Sequence, residues 1–253
     1  MNDITNDISI VVSVIIPTYN SAQWIKKAID SVLKQKVSCE IIVIDDFSSD
    51  DTRLVISEYL KSERIKYIRN EINLGVAVSR NKGVEVAKGE YVAFLDADDW
   101  WAADKLEKQL KFMKDNLLDF SYTGRKLVTH DGIETSRVFH VRNMISYKQL
   151  LFHNSIACSS TVIRRELAVQ VPMEHSEVHE DYLTWLKMLK RCSIAGGIDE
   201  PLLYYRLSNQ GKSRDKLKSA SMTFGVYRIL GFGRINSSIL LASHLLHGIL
   251  KYC

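Results

Sequence analysis

The chain has 253 residues, of which 46% are hydrophobic and 25% are charged, values that are ordinary for a soluble globular protein. This length is enough for one large α/β domain, or for one domain with an appendage. The net charge of +4 is unevenly spread, because residues 201–253 hold eight lysines and arginines and one acidic residue. Such a basic end indicates a negatively charged surface as a partner. No uninterrupted apolar run of about 18 residues occurs, which argues against a membrane-spanning helix.

The sequence indicates neither a zinc site nor a secretory signal. None of the four cysteines belongs to a C-x-x-C pair, and their pattern fits a reducing compartment. The early apolar stretch 8–16 is short and follows acidic residues, so it is more typical of a first buried strand than of a signal peptide. We therefore expect a cytoplasmic protein.

Strand and helix patterns alternate over the first 110 residues. The β-branched run 10–16 ends at Pro17 and is typical of a buried parallel strand. This strand and three more are predicted at 10–16, 39–46, 65–69 and 91–96, with helices between them at 21–36, 48–60 and 76–87, the last capped by Gly89. The order predicts a doubly wound, mostly parallel α/β sheet, in which ligands bind outside the carboxyl ends of the strands.

The pattern is weaker after residue 120. A strand followed by a turn at Asp131-Gly132 is predicted within 121–134, and an edge strand at 202–206. Helical spacing predicts helices at 146–153, 164–170 and 181–190, and again from Met222 to the end of the chain.

Three aspartates follow the fourth predicted strand in "AFLDADDWW", namely Asp96, Asp98 and Asp99. A D-x-D at a strand end sends two carboxylates to the same side, and carboxylate oxygens are the ligands that Mg²⁺ and Mn²⁺ prefer. A solvated turn or a helix N-cap would also account for aspartates here. Taken alone, the motif leaves both interpretations open.

Four blocks in order give the motif a context. They are "VSVIIPTYN", "IIVIDDFSSDDT", "NLGVAVSRNKGVEVAKGEYVAFLDADD" and "HEDYLTWLKML". This combination resembles the family 2 glycosyltransferases, which have the nucleotide-diphospho-sugar transferase fold called GT-A. The resemblance is dense over residues 12–110 and thinner to about residue 206. It implies a GT-A catalytic domain over residues 1–206, with the nucleotide-sugar half at about 10–110 and the acceptor half at 111–206.

The resemblance also implies a donor site. Asp46 would accept a hydrogen bond from the base, typically uracil, and Asp96 would lie near the ribose. The other residues that match the donor side of the family are Pro17, Thr18 and Tyr19 at the first strand end, and Asn73, Gly75, Arg80 and Asn81 further along. The family often has glycine after the acidic pair, where this chain has Phe47, so the loop is expected to differ.

The same resemblance implies a metal ion and a base. Asp98 would bind Mn²⁺ or Mg²⁺, which neutralises the negative charge that builds on the departing nucleoside diphosphate. Asp181 would take the proton from the acceptor hydroxyl while the oxygen attacks the opposite face of the anomeric carbon, so that the configuration inverts. Glu180 would place the acceptor or order its loop. For Glu180 and Asp181, an acidic pair that complements a helix dipole is the alternative.

We expect the substrates to be a nucleotide-sugar, favouring a UDP-sugar, and a glycan or polyprenyl-diphosphate-linked acceptor of surface polysaccharide assembly. The Q-x-x-R-W segment of the family's processive synthases is missing, which indicates transfer of one sugar at a time. Residues 207–253 are predicted as a basic amphipathic extension that contacts an anionic membrane on its inner face. The basic residues that suggest this are Lys212, Arg214, Lys216, Lys218, Arg228 and Arg234. No nucleic-acid reading motif is present.

Two other functions are compatible with parts of the pattern. A nucleotide-sugar-binding or scaffold protein could share the fold without catalysis, although the complete set of Asp46, Asp96, Asp98 and Asp181 argues against it. A nucleotidyltransferase with a related sheet would require a glycine- and lysine-rich phosphate loop, which "PTYNSAQW" lacks.

Overall fold

A computed structural model describes residues 10–207 and 215–252, with side chains through residue 248. Within these residues the strands are β1 Val12–Thr18, β2 Cys39–Asp45, β3 Ile65–Arg69, β4 Tyr91–Phe94, β5 Trp100–Trp101, β6 Phe120–Val128, β7 Glu134–Phe139, β8 Met144–Ser146, β9 Val162–Arg164 and β10 Ile194–Arg206. The helices are α1 Ile25–Leu33, α2 Thr52–Ser57, α3 Val76–Val86, α4 Lys105–Asp115, α5 Tyr147–Phe152, α6 Arg165–Gln170, α7 Glu180–Cys192, α8 Lys216–Ile229 and α9 Arg234–Tyr252.

One mixed sheet organises the molecule, in the strand order β3-β2-β1-β4-β9-β6-β10-β5, with β7 beside β6 and β8 beside β10. Strand β1 pairs in parallel with β2 and β4, and β2 pairs in parallel with β3. Strand β9 is antiparallel to both of its neighbours, β4 and β6, and thus joins the two parts of the sheet. The doubly wound α/β fold that the sequence predicts is confirmed.

The burial of the strands explains why the sequence predicts the first half of the fold correctly. Every residue of β1 and β2 is buried, as expected for parallel strands that are covered by helices on both faces. Two apolar clusters fill the spaces on either side of the sheet. Ile15 and Phe94 belong to the cluster around α7, whereas Val14 and Ile16 belong to the cluster under α1.

Two local predictions are wrong. Gly89 does not cap α3 in a left-handed conformation, because the helix ends at Ala87 in an extended conformation. Gly89 is instead required by a close backbone approach, since an added Cβ would lie 2.7 Å from the nitrogen of Ser13. The predicted edge strand 202–206 is the end of the longer strand β10, which is internal and lies between β6 and β5.

Helices α8 and α9 pack against α7 and its neighbours. Val226, Tyr227 and Leu240 are buried in the same apolar cluster as α7. Two of the basic residues that suggested a membrane contact, Lys212 and Arg214, lie outside the described residues. In the part of the chain that the structure describes, no helix is long and apolar enough to cross a bilayer.

Candidate active site

Two adjoining cavities open at the carboxyl ends of β1, β2 and β4. The smaller has a volume of about 420 Å³ and the larger about 760 Å³, and Pro17, Tyr19 and Val76 line both. These volumes lie within the range of roughly 300–1,000 Å³ that is typical of small-molecule sites. The two cavities together form a continuous candidate site.

Asp46 lies in the smaller cavity and holds the loop before α3. Its carboxylate accepts hydrogen bonds from the backbone nitrogens of Leu74, at 2.8 Å, and Gly75, at 2.7 Å, and from the side-chain amide of Asn70. Gly75 has φ of +86° and ψ of 162°, a conformation that is essentially restricted to glycine. Asp46 and Gly75 therefore shape one wall together, and the lining of this cavity also includes Pro17, Thr18, Tyr19 and Asn73.

The neighbouring Asp45 has a structural role. It is fully buried, and it accepts hydrogen bonds from the backbone nitrogen of Ser48 at 2.8 Å and from the hydroxyl of Tyr67 at 2.6 Å. Phe47 follows the acidic pair with φ of +70°. This left-handed conformation explains why the family often has glycine at that position, and the chain accepts a non-glycine residue there at a modest energetic cost.

The larger cavity has an acidic centre formed by Asp96, Asp98, Glu180 and Asp181. Arg80 bridges this centre. Its guanidinium donates to Asp96 Oδ1 at 2.7 Å and to Glu180 Oε1 at 3.2 Å. The two carboxylates hold the pKa of Arg80 above its usual range even though the side chain is buried. The loop after β4 is thereby fixed to the start of α7.

Asp98 faces this cavity and fits a hard cation. Burial and the nearby Asp96 raise the pKa of Asp98 to about 6, so a cation beside Asp98 would stabilise its ionised carboxylate. Among the described residues, no group of three His, Cys, Asp or Glu side chains has the arrangement of a metal site. The protein therefore offers one or two carboxylates, which suits Mg²⁺ or Mn²⁺ that takes its other ligands from water and phosphate oxygens.

Asp99, the third aspartate of the motif, turns away from the cavity. It is fully buried, and its carboxylate accepts a hydrogen bond from the backbone nitrogen of Arg206 at 2.9 Å. The guanidinium of Arg206 in turn donates to the carbonyl oxygen of Asp98 at 2.8 Å. This pair fixes the end of β10 to the loop that carries Asp98.

Asp181 stands in the first turn of α7, beside Glu180. Burial and the charge of Glu180 raise the pKa of Asp181. One carboxylate oxygen accepts from the backbone nitrogen of Tyr182 at 2.7 Å. The neighbouring His179 bonds through Nε2 to Ser219 of α8, so it lies at the boundary between the acidic centre and the terminal helices.

The two cavities contain every site residue that the sequence predicts except Asn81. Asn81 is different, because it lies outside both cavities and its side-chain amide bonds to the backbone of Met173. The sequence did not identify several lining residues of the larger cavity: Trp24, Arg125, His153, Tyr205, Lys216 and His244. They lie outside the four motif blocks, and only the packing of distant elements assembles them.

Comparison with known proteins agrees with this geometry. The family model described as "Glycosyl transferase family 2" matches residues 13–170. A Bacillus subtilis protein, provisionally named the teichuronic acid biosynthesis glycosyltransferase TuaG, is 42% identical over 220 residues, which is 86% of this chain and 87% of that protein. Escherichia coli WfgD, named as a UDP-Glc:alpha-D-GlcNAc-diphosphoundecaprenol beta-1,3-glucosyltransferase, is 37% identical over 219 residues, 85% of each chain.

Solved structures share the fold at lower identity. S. aureus TarS in complex with UDP-GlcNAc superposes with a TM-score of 0.73 and 21% identity, over 93% of this chain and 72% of that chain. The mannosyltransferase PcManGT from Pyrobaculum calidifontis, in complex with GDP-Man and Mn²⁺, gives a TM-score of 0.69 and 18% identity, over 92% and 68%. With a family model that covers more than half of its length and relatives above 30% identity, this chain belongs to glycosyl transferase family 2 and is a glycosyltransferase.

Proposed function

We propose that this glycosyltransferase moves one hexosyl or N-acetylhexosaminyl unit from a UDP-sugar to a hydroxyl of a lipid-linked glycan, with inversion at the anomeric carbon, in surface polysaccharide assembly. One observation carries the proposal. Asp98 and Asp181 line the same cavity, which joins the cavity around Asp46. The names of TuaG and WfgD support the substrate classes.

In this proposal the nucleotide lies in the smaller cavity. Asp46 accepts a hydrogen bond from the base, beside Pro17, Thr18 and Tyr19, while Asn73 and Gly75 shape the loop over it. The diphosphate then extends into the larger cavity past Asp96. The continuity of the two cavities through Pro17 and Tyr19 supports this course.

Asp98 would hold Mn²⁺ or Mg²⁺ together with the donor diphosphate. A divalent cation at this position supplies compensation for the charge that develops on the departing UDP. Because the protein itself provides few ligands, we expect tight metal binding only when the nucleotide is present. The complex of PcManGT with Mn²⁺ is consistent with a metal in this fold.

Asp181 is the proposed general base. Its raised pKa makes the ionised carboxylate a stronger proton acceptor than that of an ordinary exposed aspartate. Glu180, held by Arg80 at 3.2 Å, would keep the start of α7 in place. The acceptor oxygen loses its proton to Asp181 as it forms the bond to the anomeric carbon, and UDP leaves from the opposite face.

We also propose a division of the chain and a location for it. Residues 1–206 form the catalytic unit, with about 10–110 holding the nucleotide and 111–206 facing the acceptor, and residues 207–253 form an extension that contacts the inner face of the cytoplasmic membrane. The outer side of α9 supports this contact, because Ile235, Ile239 and Leu246 are 78%, 61% and 61% exposed. Arg228 and Arg234 lie next to this surface in the sequence and match an anionic bilayer.

A thermal-shift experiment tests the nucleotide site. The purified protein is heated with UDP, GDP, CDP or dTDP, each with Mn²⁺ or with EDTA, beside an Asp98→Ala variant. Saturating UDP with Mn²⁺ is expected to raise the Tm by about 5 °C or more, and the variant should lose the metal-dependent part. If no nucleotide stabilises the folded protein, the donor site and the proposed function are wrong.

Vesicle flotation tests the membrane contact. We expect the protein to float with vesicles that contain phosphatidylglycerol but not with pure phosphatidylcholine, and Ile239→Glu with Leu246→Glu should abolish flotation. Leu54→Glu is the matched control, because Leu54 is a helical leucine with a similar exposure of 67%. Equal flotation of both variants would contradict a role for α9.

A further inference from the structure

One end of the larger cavity differs in chemistry from its acidic centre. This basic end is lined by residues from the segment after α5, the residue before α7, and helices α8 and α9: His153, Asn154, His179, Lys216, Ser219 and His244. None of these residues is acidic, and all carry polar or cationic side chains. None of these six residues is among those assigned to the nucleotide.

The histidines of the basic end form a cluster. The rings of His153 and His244 are 5.2 Å apart between centroids, and His247 stacks on His153 at 6.0 Å. His244 also lies against the ring of Tyr182, at 5.6 Å between centroids. The cluster is therefore fixed between α7 and α9.

His179 and His244 each use one ring nitrogen in a hydrogen bond. His179 donates from Nε2 to the carbonyl oxygen of Ser219 at 3.1 Å, so its Nδ1 takes no part in this hydrogen bond. His244 uses Nδ1 towards the hydroxyl of Tyr227 at 3.4 Å, so its Nε2 is likewise uncommitted among the described residues. A protonated imidazole donates from both nitrogens, and a neutral His244 that accepts at Nδ1 from Tyr227 donates from Nε2.

The ring of His244 is neutral at neutral pH, so the positive charge of the basic end comes from Lys216. The pKa of His244 is lowered to about 4, because the ring is buried and because His153, His179 and His247 surround it. Two acidic residues on the packed elements bond to other partners: Asp215 caps its own helix through Leu217 and Lys218, and Glu180 bonds to Arg80. Asp181 of α7 also lines the cavity and belongs to its acidic centre. Lys216 adds a permanent positive charge at the rim.

A transition metal does not account for this cluster. Within residues 10–207 and 215–248, no three His, Cys, Asp or Glu side chains have the geometry of a metal site. An anion that accepts several hydrogen bonds fits better, since N–H, O–H and ammonium groups converge there and charge-assisted bonds to phosphate oxygens are strong.

We propose that the basic end binds a phosphate group of the acceptor, directly attached to the sugar whose hydroxyl reaches Asp181, with Lys216, His179 and His244 as its ligands. This inference rests on the proposed function and assigns the acceptor class and its subsite. His179 immediately precedes the acidic pair Glu180 and Asp181 in the chain, so a sugar between base and phosphate spans adjacent parts of one cavity. The acceptor is thus a sugar phosphate or diphosphate, and not a neutral glycan end.

A binding experiment uses phenyl phosphate as the probe, with UDP and Mg²⁺ in excess so that the nucleotide site is filled. Histidine Cε1–Hε1 resonances are followed by NMR. We expect the resonances of His179 and His244 to move, while His140 and His175, which are exposed and paired with Asp199 and Glu177, stay in place. Lys216→Gln should weaken the binding about 10-fold or more.

Lys218→Gln is the matched control for Lys216→Gln, because Lys218 is an exposed lysine in the same turn of α8 that does not line the cavity. Both positions are exposed, so both variants should keep the Tm of the native protein. With a diphosphate-linked acceptor, Lys216→Gln should raise KM about 10-fold and change kcat little. With a neutral alkyl glycoside of the same sugar, Lys216→Gln should show the same KM and kcat as the native protein.

The outcomes separate two failures. If UDP stabilises the protein but phenyl phosphate moves neither histidine resonance, or if Lys216→Gln affects both acceptors equally, the phosphate subsite is wrong and the proposed function stands. If UDP does not bind at all, the proposed function fails, and this inference fails with it.

Discussion

The guanidinium of Arg80 donates to the carboxylate of Asp96 at 2.7 Å, from a side chain that is only 5% exposed. Its second bond reaches Glu180, and its Nε is buried without a partner among the described residues. The resemblance to the family implied a donor contact for Arg80. The geometry instead favours a positioning residue, which joins the loop that carries Asp96 to the start of α7, where the proposed base Asp181 lies.

Replacing Arg80 with glutamine should therefore destabilise the fold strongly. Two carboxylates would lose their counter-charge, and removal of one partner from a buried ion pair costs about 3–5 kcal/mol. Urea unfolding measures the change. Lys111→Gln is the control, because its pair with Asp115 is exposed and should contribute less than about 1 kcal/mol. A similar small loss in both variants would show that Arg80 does not fix the site.

Asp98→Asn should stabilise the metal-free protein at neutral pH. The folded-state pKa of Asp98 is raised to about 6, above its unfolded value of 3.8, so its ionisation opposes folding increasingly between these two values and in full above about pH 6. Well below pH 3.8 Asp98 is protonated in both states, and the advantage of asparagine disappears. The Tm difference between variant and native protein should therefore grow as the pH rises from 4 to 7. A difference that is independent of pH would contradict the raised pKa.

Asp181→Asn should abolish most of the turnover and leave nucleotide binding intact. Loss of a general base typically lowers the rate by about 10²–10⁴-fold. Activity assays and UDP-induced thermal shifts are compared on the same samples. Glu177→Gln is the control, since Glu177 is an exposed carboxylate close to α7. If Asp181→Asn retains full activity, another group must take the proton.

Gly75→Ala should weaken UDP binding through the backbone. The added Cβ would meet no atom within 4 Å, but φ of +86° strains any other residue, at a cost of about 1–3 kcal/mol. If the backbone shifts to relieve this strain, the backbone nitrogen of residue 75, which donates to Asp46, moves with it. Gly233→Ala is the control, because Gly233 also has open space and lacks a positive φ. Titration of the Tm with UDP distinguishes weaker binding from lower stability.

The half of the fold over residues 10–110 could be predicted because its information is local. Strands β1 and β2 are covered on both faces, so their sequences are continuous apolar runs, and polar residues such as Asp46 and Asp98 mark the points where strands end. The motif blocks lie at those points. Site residues and strand positions in this half follow from the same pattern.

The basic end of the larger cavity could not be predicted in the same way. His153 and His244 meet only because α9 packs beside α5 and α7, and helical spacing does not specify which surface an amphipathic helix will cover. Strand β10 was recognised only at its end, because Gly196, Gly197 and Pro201 interrupt its pattern. At Gly197 an added Cβ would lie only 2.1 Å from the carbonyl oxygen of Arg142, so the interruption is a requirement of close packing.

The larger cavity is thus built from opposite ends of the chain, with the β1 end on one side and α8 and α9 on the other. Substitutions in α8 and α9 can change their side of the larger cavity without altering the loops that are proposed to bind the nucleotide. Such an arrangement lets acceptor preference diversify independently of donor preference. Exchange of these helices between relatives should accordingly transplant the choice of acceptor and leave the choice of nucleotide unchanged.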